Sequence, residues 1–249
     1  MRSPLLPRWS AVWASPLESC SGDAVGHQRM SVDVQAGSDV ASRRASCRRT
    51  GIDKPSMAPD PFDQFRSWHE EWTTTDPPDA AAVVLATVDR SGHPSARLVD
   101  LAYVDHGFVF FTDRRSRKAS GLRAGSRAAL CFGWLTLARQ VRVTGSVAAL
   151  SDDESDAWHS KLPRQMQLLT WASDQREVIP ARAVATRRLV EAEMRFCDGP
   201  VTRPPHWGGY RVVADEVEFW QGRADELHDR LRYTRGAAGE RWVIDRITP

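Results

Sequence analysis

The sequence lacks the features that commonly mark membrane proteins and nucleic-acid-binding proteins. In its 249 residues no apolar run approaches the roughly 20 residues that a membrane-spanning helix needs. The net charge is only +2, with 34 Lys and Arg against 32 Asp and Glu. A nucleic-acid role therefore has no support from the overall charge. We expect neither a membrane nor a nucleic-acid partner.

Cysteine is also scarce, and the sequence offers no convincing metal site. The four cysteines are Cys20, Cys47, Cys131 and Cys197, and none forms a C-x-x-C pair. Free thiols are the better interpretation, which favours a reducing, cytoplasmic compartment. The acidic run 152–156 could be a metal site, but acidic residues that complement the dipole at a helix start explain it better. We therefore predict no metal.

The first 56 residues differ in character from the remainder. They are rich in Ser, Arg, Gly and Ala and show no sustained hydrophobic period. We interpret residues 1–56 as a disordered extension, with translation from Met57 as the alternative. Residues 57–249 form the predicted domain.

Periodic patterns begin at Asp60. The stretch "DPFDQFRSWHEEW" places its aromatic residues on one helical face, with Asp60 as the N-cap and Pro61 in the first turn. Short strand-like segments follow, divided by Gly or Asp turns: "AAVVLATVD", "ARLVDLAYVD", "GFVFFTD", "AALCFGWL", "RQVRVTGSVAAL" and "YRVVADEVEFW". Helix-like segments lie between them: "RKASGLRAG", "DDESDAWHSKL" and "ARAVATRRLVEAEMRF". The pattern predicts a mainly β fold, an antiparallel barrel or sandwich with flanking helices.

The block "FTDRRSRKASGL" (111–122) carries the strongest chemical signal. A strand is predicted to end at Thr112, and Ser116, Arg117 and Lys118 to open a helix. Hydroxyl groups, cations and free N–H groups at a helix start together form a phosphate cradle. A solvated basic turn is the alternative from this block alone.

From about Asp60 onward the chain resembles the pyridoxine/pyridoxamine 5'-phosphate oxidase family. The resemblance rests on blocks in the same order, among them "LATVDRSGHPSARLVDL", "GFVFFTDRRSRK", "RQVRVTG", "WASDQ", "PPHWGGYRV", "EFWQG", "LHDRLRY" and "IDRITP". It implies a split β-barrel that binds flavin mononucleotide (FMN) at the interface of a homodimer.

The resemblance also implies which residues hold FMN. Arg97, Arg117 and Lys118, with Thr112 beside them, match the phosphate-binding positions, and the strand along the flavin ring holds Arg97, Leu98, Val99, Asp100 and Leu101. Gln140 would bond the ring, while Gln175, Trp220 and Arg230 would complete the pocket from the partner subunit. Two positions depart from the family: Phe111 replaces a common Tyr, and Arg176 replaces a Ser.

The substrate side departs more strongly. The family binds the vitamin phosphate through Lys, Tyr, Arg and Ser, and the matching positions here are Ala102, Trp158, Leu162 and Met166. Where the family has Arg-Leu-His over the flavin, this chain has Glu226, Leu227 and His228. Five changes that remove or oppose anion recognition indicate a substrate without that phosphate. Lys161 or Arg164 could substitute, although neither falls on a matching position.

These residues together predict an FMN-dependent oxidase. It would remove a hydride from a partly reduced or amine-bearing ring compound and pass electrons to O2, giving H2O2, in specialised-metabolite biosynthesis of the phenazine type. His228 is the candidate catalytic residue. Vitamin B6 salvage, with pyridoxal 5'-phosphate as product, is one alternative, and a flavin-binding protein without turnover is another.

Overall fold

The computed structural model describes residues 39–125, 127–235 and 241–249. Within these ranges the strands are β1 (Ala82–Val88), β2 (Pro94–Val104), β3 (Phe108–Asp113), β4 (Arg127–Trp134), β5 (Arg139–Ala149), β6 (Trp207–Gln221), β7 (Asp229–Arg235) and β8 (Trp242–Arg246). The helices are α1 (39–50), α2 (Pro61–Thr73), α3 (Arg117–Gly125), α4 (Asp152–His159), α5 (Arg164–Ala172) and α6 (Arg182–Arg195). No helix in the described ranges has the length and apolarity to cross a membrane.

The strands form one antiparallel sheet that closes into a barrel. Their order is β3-β2-β1-β4-β5-β6-β7-β8, and β3 also pairs with β6. This second pairing closes six strands into a ring, while β7 and β8 extend the sheet beyond β6. Closure pairs the β3 edge that an open sheet would expose, while β8 remains an edge strand. The prediction of a mainly β barrel with flanking helices is confirmed.

The barrel interior is apolar, and α2 covers part of it. Along β5 the inward side chains Val141 and Val143 are fully buried, whereas their neighbours in sequence are not. Asp60 caps α2 by accepting a hydrogen bond from the Phe62 N–H at 2.7 Å. Phe65 then packs edge-on against Phe108 and Phe132. A fully buried aromatic side chain of this kind contributes about 1.5–3 kcal/mol through removal from water.

Part of the predicted N-terminal extension contacts this barrel. Residues 39–50 form α1, which the sequence pattern did not predict, and Cys47 on it is buried. Ile52 packs against the main core, and its N–H donates to Asp229. Residues 1–38 of the predicted extension lie outside the described residues. Helix α5 and strands β7 and β8 were also not identified from the pattern.

Candidate cofactor and substrate site

A cluster of cations forms where β3 leads into α3. The strand ends at Asp113, one residue beyond the predicted Thr112, and the helix begins at Arg117, one residue after the predicted Ser116. Ser116 caps the helix, since its Oγ accepts from the Ala119 N–H at 3.4 Å. The next N–H groups of a first helical turn have no partner within the helix, so they can bind an anion. Arg117 and Lys118 lie in this turn.

Arg97 reaches the same cluster from β2. Its guanidinium donates to Thr87 Oγ1 at 2.9 Å and to the Leu85 carbonyl at 3.0 Å. Helix α3 approaches β1 closely here because Gly121 has no side chain: a Cβ at this position would lie 3.2 Å from Thr87 Oγ1. The helix and the two strands thereby bring Arg97 close to Arg117 and Lys118.

The electrostatics of the cluster favour an anionic ligand. Burial lowers the pKa of the Lys118 ammonium, and the Arg97 guanidinium lowers it further. Burial likewise lowers the pKa of Arg97, with Arg117 adding to the effect. Each cation therefore disfavours the charge on its neighbour, and a bound phosphate would relieve that repulsion.

Lys118 joins two further predicted cofactor residues. Its ammonium donates to Thr112 Oγ1 at 3.0 Å and to the Gln175 side-chain oxygen. The resemblance assigned Gln175 to the pocket of the partner subunit. In the structure the Gln175 side chain instead contacts Lys118, and therefore the cation cluster, of its own chain.

Strand β2 shows the alternation expected of a strand with one open face. Leu98 is 67% exposed although it is apolar, while Leu101 is buried. Val99 is half-buried and Asp100 is exposed. The pairing with β3 shifts between Leu101 and Tyr103, so Ala102 lies at a β-bulge and is buried next to Leu101. Beyond the bulge, the Tyr103 ring packs against Trp158 with centroids 5.2 Å apart.

A second group of predicted cofactor residues forms a row across three strands. Gln140 on β5 pairs with Trp220 on β6, which in turn pairs with Arg230 on β7. Paired residues project on the same face of a sheet, so these three side chains lie side by side. Arg230 donates to Glu218 Oε2 at 2.9 Å. Glu218 raises the pKa of Arg230 by accepting this bond.

His228 and Glu226 lie in the loop that joins β6 to β7. The His228 ring packs edge-on against Trp220 with centroids 4.9 Å apart, and its Nδ1 accepts from the Arg223 N–H at 3.1 Å. Glu226 has a φ of 61°, a left-handed conformation that is uncommon outside glycine. Its carboxylate pairs with Arg48 of α1 at 2.6 Å and lies 3.6 Å from His228 Nε2.

The predicted substrate side contains an aromatic stack. Ala102, Val109 and Leu150 form a small buried cluster, against which Tyr103, Phe111 and Trp158 pack. Trp158 stacks on Phe111 at a centroid distance of 5.4 Å, and Phe111 stacks on Trp207 at 4.9 Å. Offset stacks of this kind contribute about 0.5–1.5 kcal/mol beyond their burial. Ala102 and Trp158, two of the substituted positions, are thus brought together.

The other two substituted positions lie where α4 passes into α5. The Leu162 N–H donates to the His159 carbonyl at 3.1 Å as the chain leaves α4. Met166 follows on α5, and both side chains are half-buried. Of the two nearby cations, Arg164 donates to the Gly199 carbonyl at 2.9 Å and to the Phe196 carbonyl. This guanidinium therefore joins α5 to the end of α6. Lys161 is exposed.

The acidic run 152–156 forms ion pairs with arginines. Asp152 pairs with Arg114 at 2.9 Å and Arg203 at 3.1 Å, and Asp156 pairs with Arg203 at 2.6 Å. Ser151 and Glu154 form a capping box at the start of α4. In the described ranges no group of three or more His, Cys, Asp or Glu residues could hold a metal ion.

Sequence reasoning missed two residues of this region, Glu218 and Arg48, and interpreted Trp207 only as packing a turn. Glu218 was visible in "EFWQG" as a charge between apolar positions, and Trp207 in "PPHWGGY". Arg48 carried no signal, because its segment lacks a hydrophobic period.

Comparison with known proteins assigns the chain to a family of oxidases. Residues 74–196 match the family model of pyridoxamine 5'-phosphate oxidase, and residues 207–249 match that of the pyridoxine 5'-phosphate oxidase C-terminal dimerisation region. A pyridoxine/pyridoxamine 5'-phosphate oxidase of Burkholderia cenocepacia (strain HI2424) is 45% identical over 212 residues, which cover 84% of this chain and 99% of the relative. The protein of that name in Cupriavidus necator is 45% identical over 211 residues, with the same coverage.

Two solved structures share the fold. PhzG from Burkholderia lata 383, in complex with tetrahydrophenazine-1-carboxylic acid, has a TM-score of 0.75 at 24% identity and covers 81% of this chain and 100% of its own. A pyridoxamine 5'-phosphate oxidase-related, FMN binding protein of Nostoc punctiforme has a TM-score of 0.63 at 19% identity, covering 78% of this chain and 100% of its own. The chain belongs to the pyridoxine/pyridoxamine 5'-phosphate oxidase family, and it is an oxidoreductase of that type.

Proposed function

We propose that the protein is a homodimeric FMN-dependent oxidase whose substrate is a ring compound without the vitamin phosphate. The observation that carries this proposal is the substrate side, where Ala102 and Trp158 belong to an apolar, aromatic cluster. A phosphate ester would need cations at this place.

The residues of the cation cluster fit the phosphate group of FMN. Arg97, Arg117 and Lys118 carry mutually disfavoured charges, and a phosphate ester supplies about two negative charges near neutral pH. Thr112 adds a hydroxyl and the first turn of α3 adds N–H groups. Leu98, exposed on β2, offers an apolar surface to the flat ring.

The row of Gln140, Trp220 and Arg230 would complete the site across the dimer. Gln140 offers an amide to the polar edge of the ring. Because Gln140, Trp220 and Arg230 lie side by side on one face of the sheet, all three would reach the flavin from the partner subunit, consistent with the match of residues 207–249 to a dimerisation region. Glu218 fixes the Arg230 guanidinium through its bond at 2.9 Å.

FMN, when bound, would supply the hydride acceptor, with O2 as the final acceptor giving H2O2. The chain's own residues would orient the donor carbon and exclude water. Trp158, Phe111 and Trp207 form a stacked wall, and Leu162 and Met166 add apolar surface. We assign to His228, whose Nδ1 accepts from the Arg223 N–H, the role of exchanging a proton with a substrate amine or ring nitrogen.

The loss of phosphate ligands is the energetic argument for this substrate class. Each charge-assisted hydrogen bond contributes about 1.5–3 kcal/mol, so the loss of several weakens phosphate-ester binding by orders of magnitude. Arg164 does not offset the loss, because its guanidinium is engaged with two backbone carbonyls. PhzG, which shares the fold, was solved with a partly reduced ring acid. A phenazine-type biosynthetic oxidation is accordingly our leading assignment.

Vitamin B6 salvage is the second candidate. It is favoured by the 45% identity to pyridoxine/pyridoxamine 5'-phosphate oxidases over 99% of their length. A flavin-binding protein without turnover is the third. Purified protein titrated with FMN and then assayed for peroxide release separates these three. Flavin binding without peroxide from any ring substrate favours the last, and rapid turnover of phosphorylated vitamers favours salvage.

A further inference from the structure

The end of helix α1 lies against the loop that carries Glu226 and His228. The Ala224 N–H donates to the Arg48 carbonyl at 3.1 Å. In the same direction, from the loop to α1, the Arg223 guanidinium donates to the Thr50 carbonyl at 3.1 Å. Backbone and side-chain bonds therefore join α1 to residues 222–228, which we call the β6–β7 loop.

Arg48 makes the central contact of this junction. Its Nη2 donates to the Arg223 carbonyl at 2.8 Å and to Glu226 Oε1 at 2.6 Å, and its Nε reaches the same carbonyl at 3.2 Å. The Arg48 guanidinium thus binds both the Arg223 carbonyl and the Glu226 carboxylate, which belong to one turn of the loop (223–226). Its planar fork suits this task better than a lysine ammonium would.

The loop has a shape that needs such support. Glu226 adopts a left-handed φ of 61°, which costs free energy for a residue other than glycine. Two residues further on, His228 is bound through Nδ1 to the Arg223 N–H. The position of Arg223 therefore affects the imidazole directly, and Arg48 fixes the Arg223 carbonyl.

We propose that α1 fixes the conformation of the β6–β7 loop. Arg48 is the positioning residue: it holds Glu226 in place and, through the loop, it also positions His228. The proposal rests on the proposed function only in placing this loop beside the substrate. A carboxylate at position 226 is then part of an ion pair within the chain. Removing the pair should loosen the loop while the barrel and its cation cluster keep their structure.

The test is hydrogen exchange by mass spectrometry on the full chain, with and without FMN. We compare wild type, Arg48→Glu, the exchanged pair Arg48→Glu/Glu226→Arg, and Arg49→Ala as the matched control. The Arg49 side chain is exposed on the same helix. Arg48→Glu places two carboxylates in contact. It should speed exchange in the peptide that spans 222–228 by about tenfold, with β5 unchanged.

Rescue separates positioning from general damage. The exchanged pair re-forms the 48–226 ion pair but not the Arg48 bonds to the Arg223 carbonyl, so it should restore part of the protection in 222–228. Arg49→Ala should match wild type. Exchange in Arg48→Glu that equals the control, or an exchanged pair that stays as fast as Arg48→Glu, would overturn the proposal. If Arg48→Glu does not fold, Glu226→Lys probes the same pair from the loop side with the same expectation. Flavin absorbance of the same samples tests the proposed function separately, because loop exchange is measured whether or not FMN binds.

Discussion

Trp158 lies parallel to Phe111, with ring planes 4° apart and centroids separated by 5.4 Å. The family resemblance implies a phosphate ligand at position 158 and a flavin contact at position 111. Their stacking means that this part of the pocket presents aromatic surface where a phosphate group would need hydrogen-bond donors. We therefore expect the substrate side to disfavour a phosphate ester, while the cation cluster on the cofactor side binds the phosphate of FMN.

The first prediction concerns the cation cluster. Arg117→Ala/Lys118→Ala should weaken FMN binding about 100-fold or more, at about 1.5 kcal/mol for each lost charge-assisted hydrogen bond. Fluorescence titration of apoprotein with FMN measures this. Arg182→Ala/Arg187→Ala removes two exposed charges from α6 and should bind FMN like wild type. Equal affinity in the two double variants would show that the phosphate binds elsewhere.

The second prediction concerns pH. The pKa of Lys118 is below the ordinary lysine value of 10.5, chiefly because of burial and then because of Arg97. The ammonium form binds phosphate, so FMN affinity is complete at lower pH and falls as pH rises through the lowered pKa. The dissociation constant for FMN should therefore begin to rise at a pH below the ordinary lysine value of 10.5. In Lys118→Arg the guanidinium stays charged, so the slope should disappear. The same slope in both proteins would assign the titration to another group.

The third prediction concerns the N-terminal segment. A chain that starts at Met57 retains Phe62, Phe65 and the barrel core, so it should fold, dimerise and bind FMN with the stoichiometry of the full chain. It loses the contacts of Cys47, Arg48 and Ile52, so we expect a melting temperature lower by a few degrees, about 1 kcal/mol or more of lost stability. Calorimetry and size-exclusion chromatography measure both quantities. Failure to dimerise or to hold flavin would make the segment an essential part of the domain.

The fourth prediction concerns restoration of the phosphate site. Glu226→Arg alone should give no oxidation of pyridoxine 5'-phosphate, because the other ligands remain absent. The new cation would also face Arg48, which lies 2.6 Å from the Glu226 carboxylate. Five replacements should yield measurable peroxide: Ala102→Lys, Trp158→Tyr, Leu162→Arg, Met166→Ser and Glu226→Arg. Turnover by the single variant would show that one charge governs specificity.

Much of the barrel could be predicted from the sequence because strand alternation and turn residues are local signals. The start of α2 at Asp60 and Pro61 and the start of α3 after Ser116 follow from capping chemistry. Helix α1 could not be predicted, since its stability comes from contacts with the β6–β7 loop and not from a period of its own. The same applies to the partnership of Arg48 and Glu226, which are 178 residues apart in sequence.

The candidate site was predictable in residue identity but less so in arrangement. Gln140, Trp220 and Arg230 form one row because of the register in which β5, β6 and β7 pair. This register is known only from the three-dimensional structure of the sheet. Gln175 was expected from the partner subunit, whereas its side chain meets Lys118 of the same chain. Loop paths after a helix are set by tertiary contacts, which composition and spacing do not encode.

The most direct test of the central claim is peroxide release by FMN-loaded wild-type protein. The substrates are pyridoxine 5'-phosphate, pyridoxamine 5'-phosphate and a panel of dihydro-aromatic acids and ring amines without phosphate. We expect little or no turnover of either phosphorylated vitamer and measurable turnover of at least one compound in the panel. Turnover of a phosphorylated vitamer with a micromolar KM would contradict it. In that case a cation such as Lys161 must hold the phosphate, and vitamin B6 salvage becomes the function.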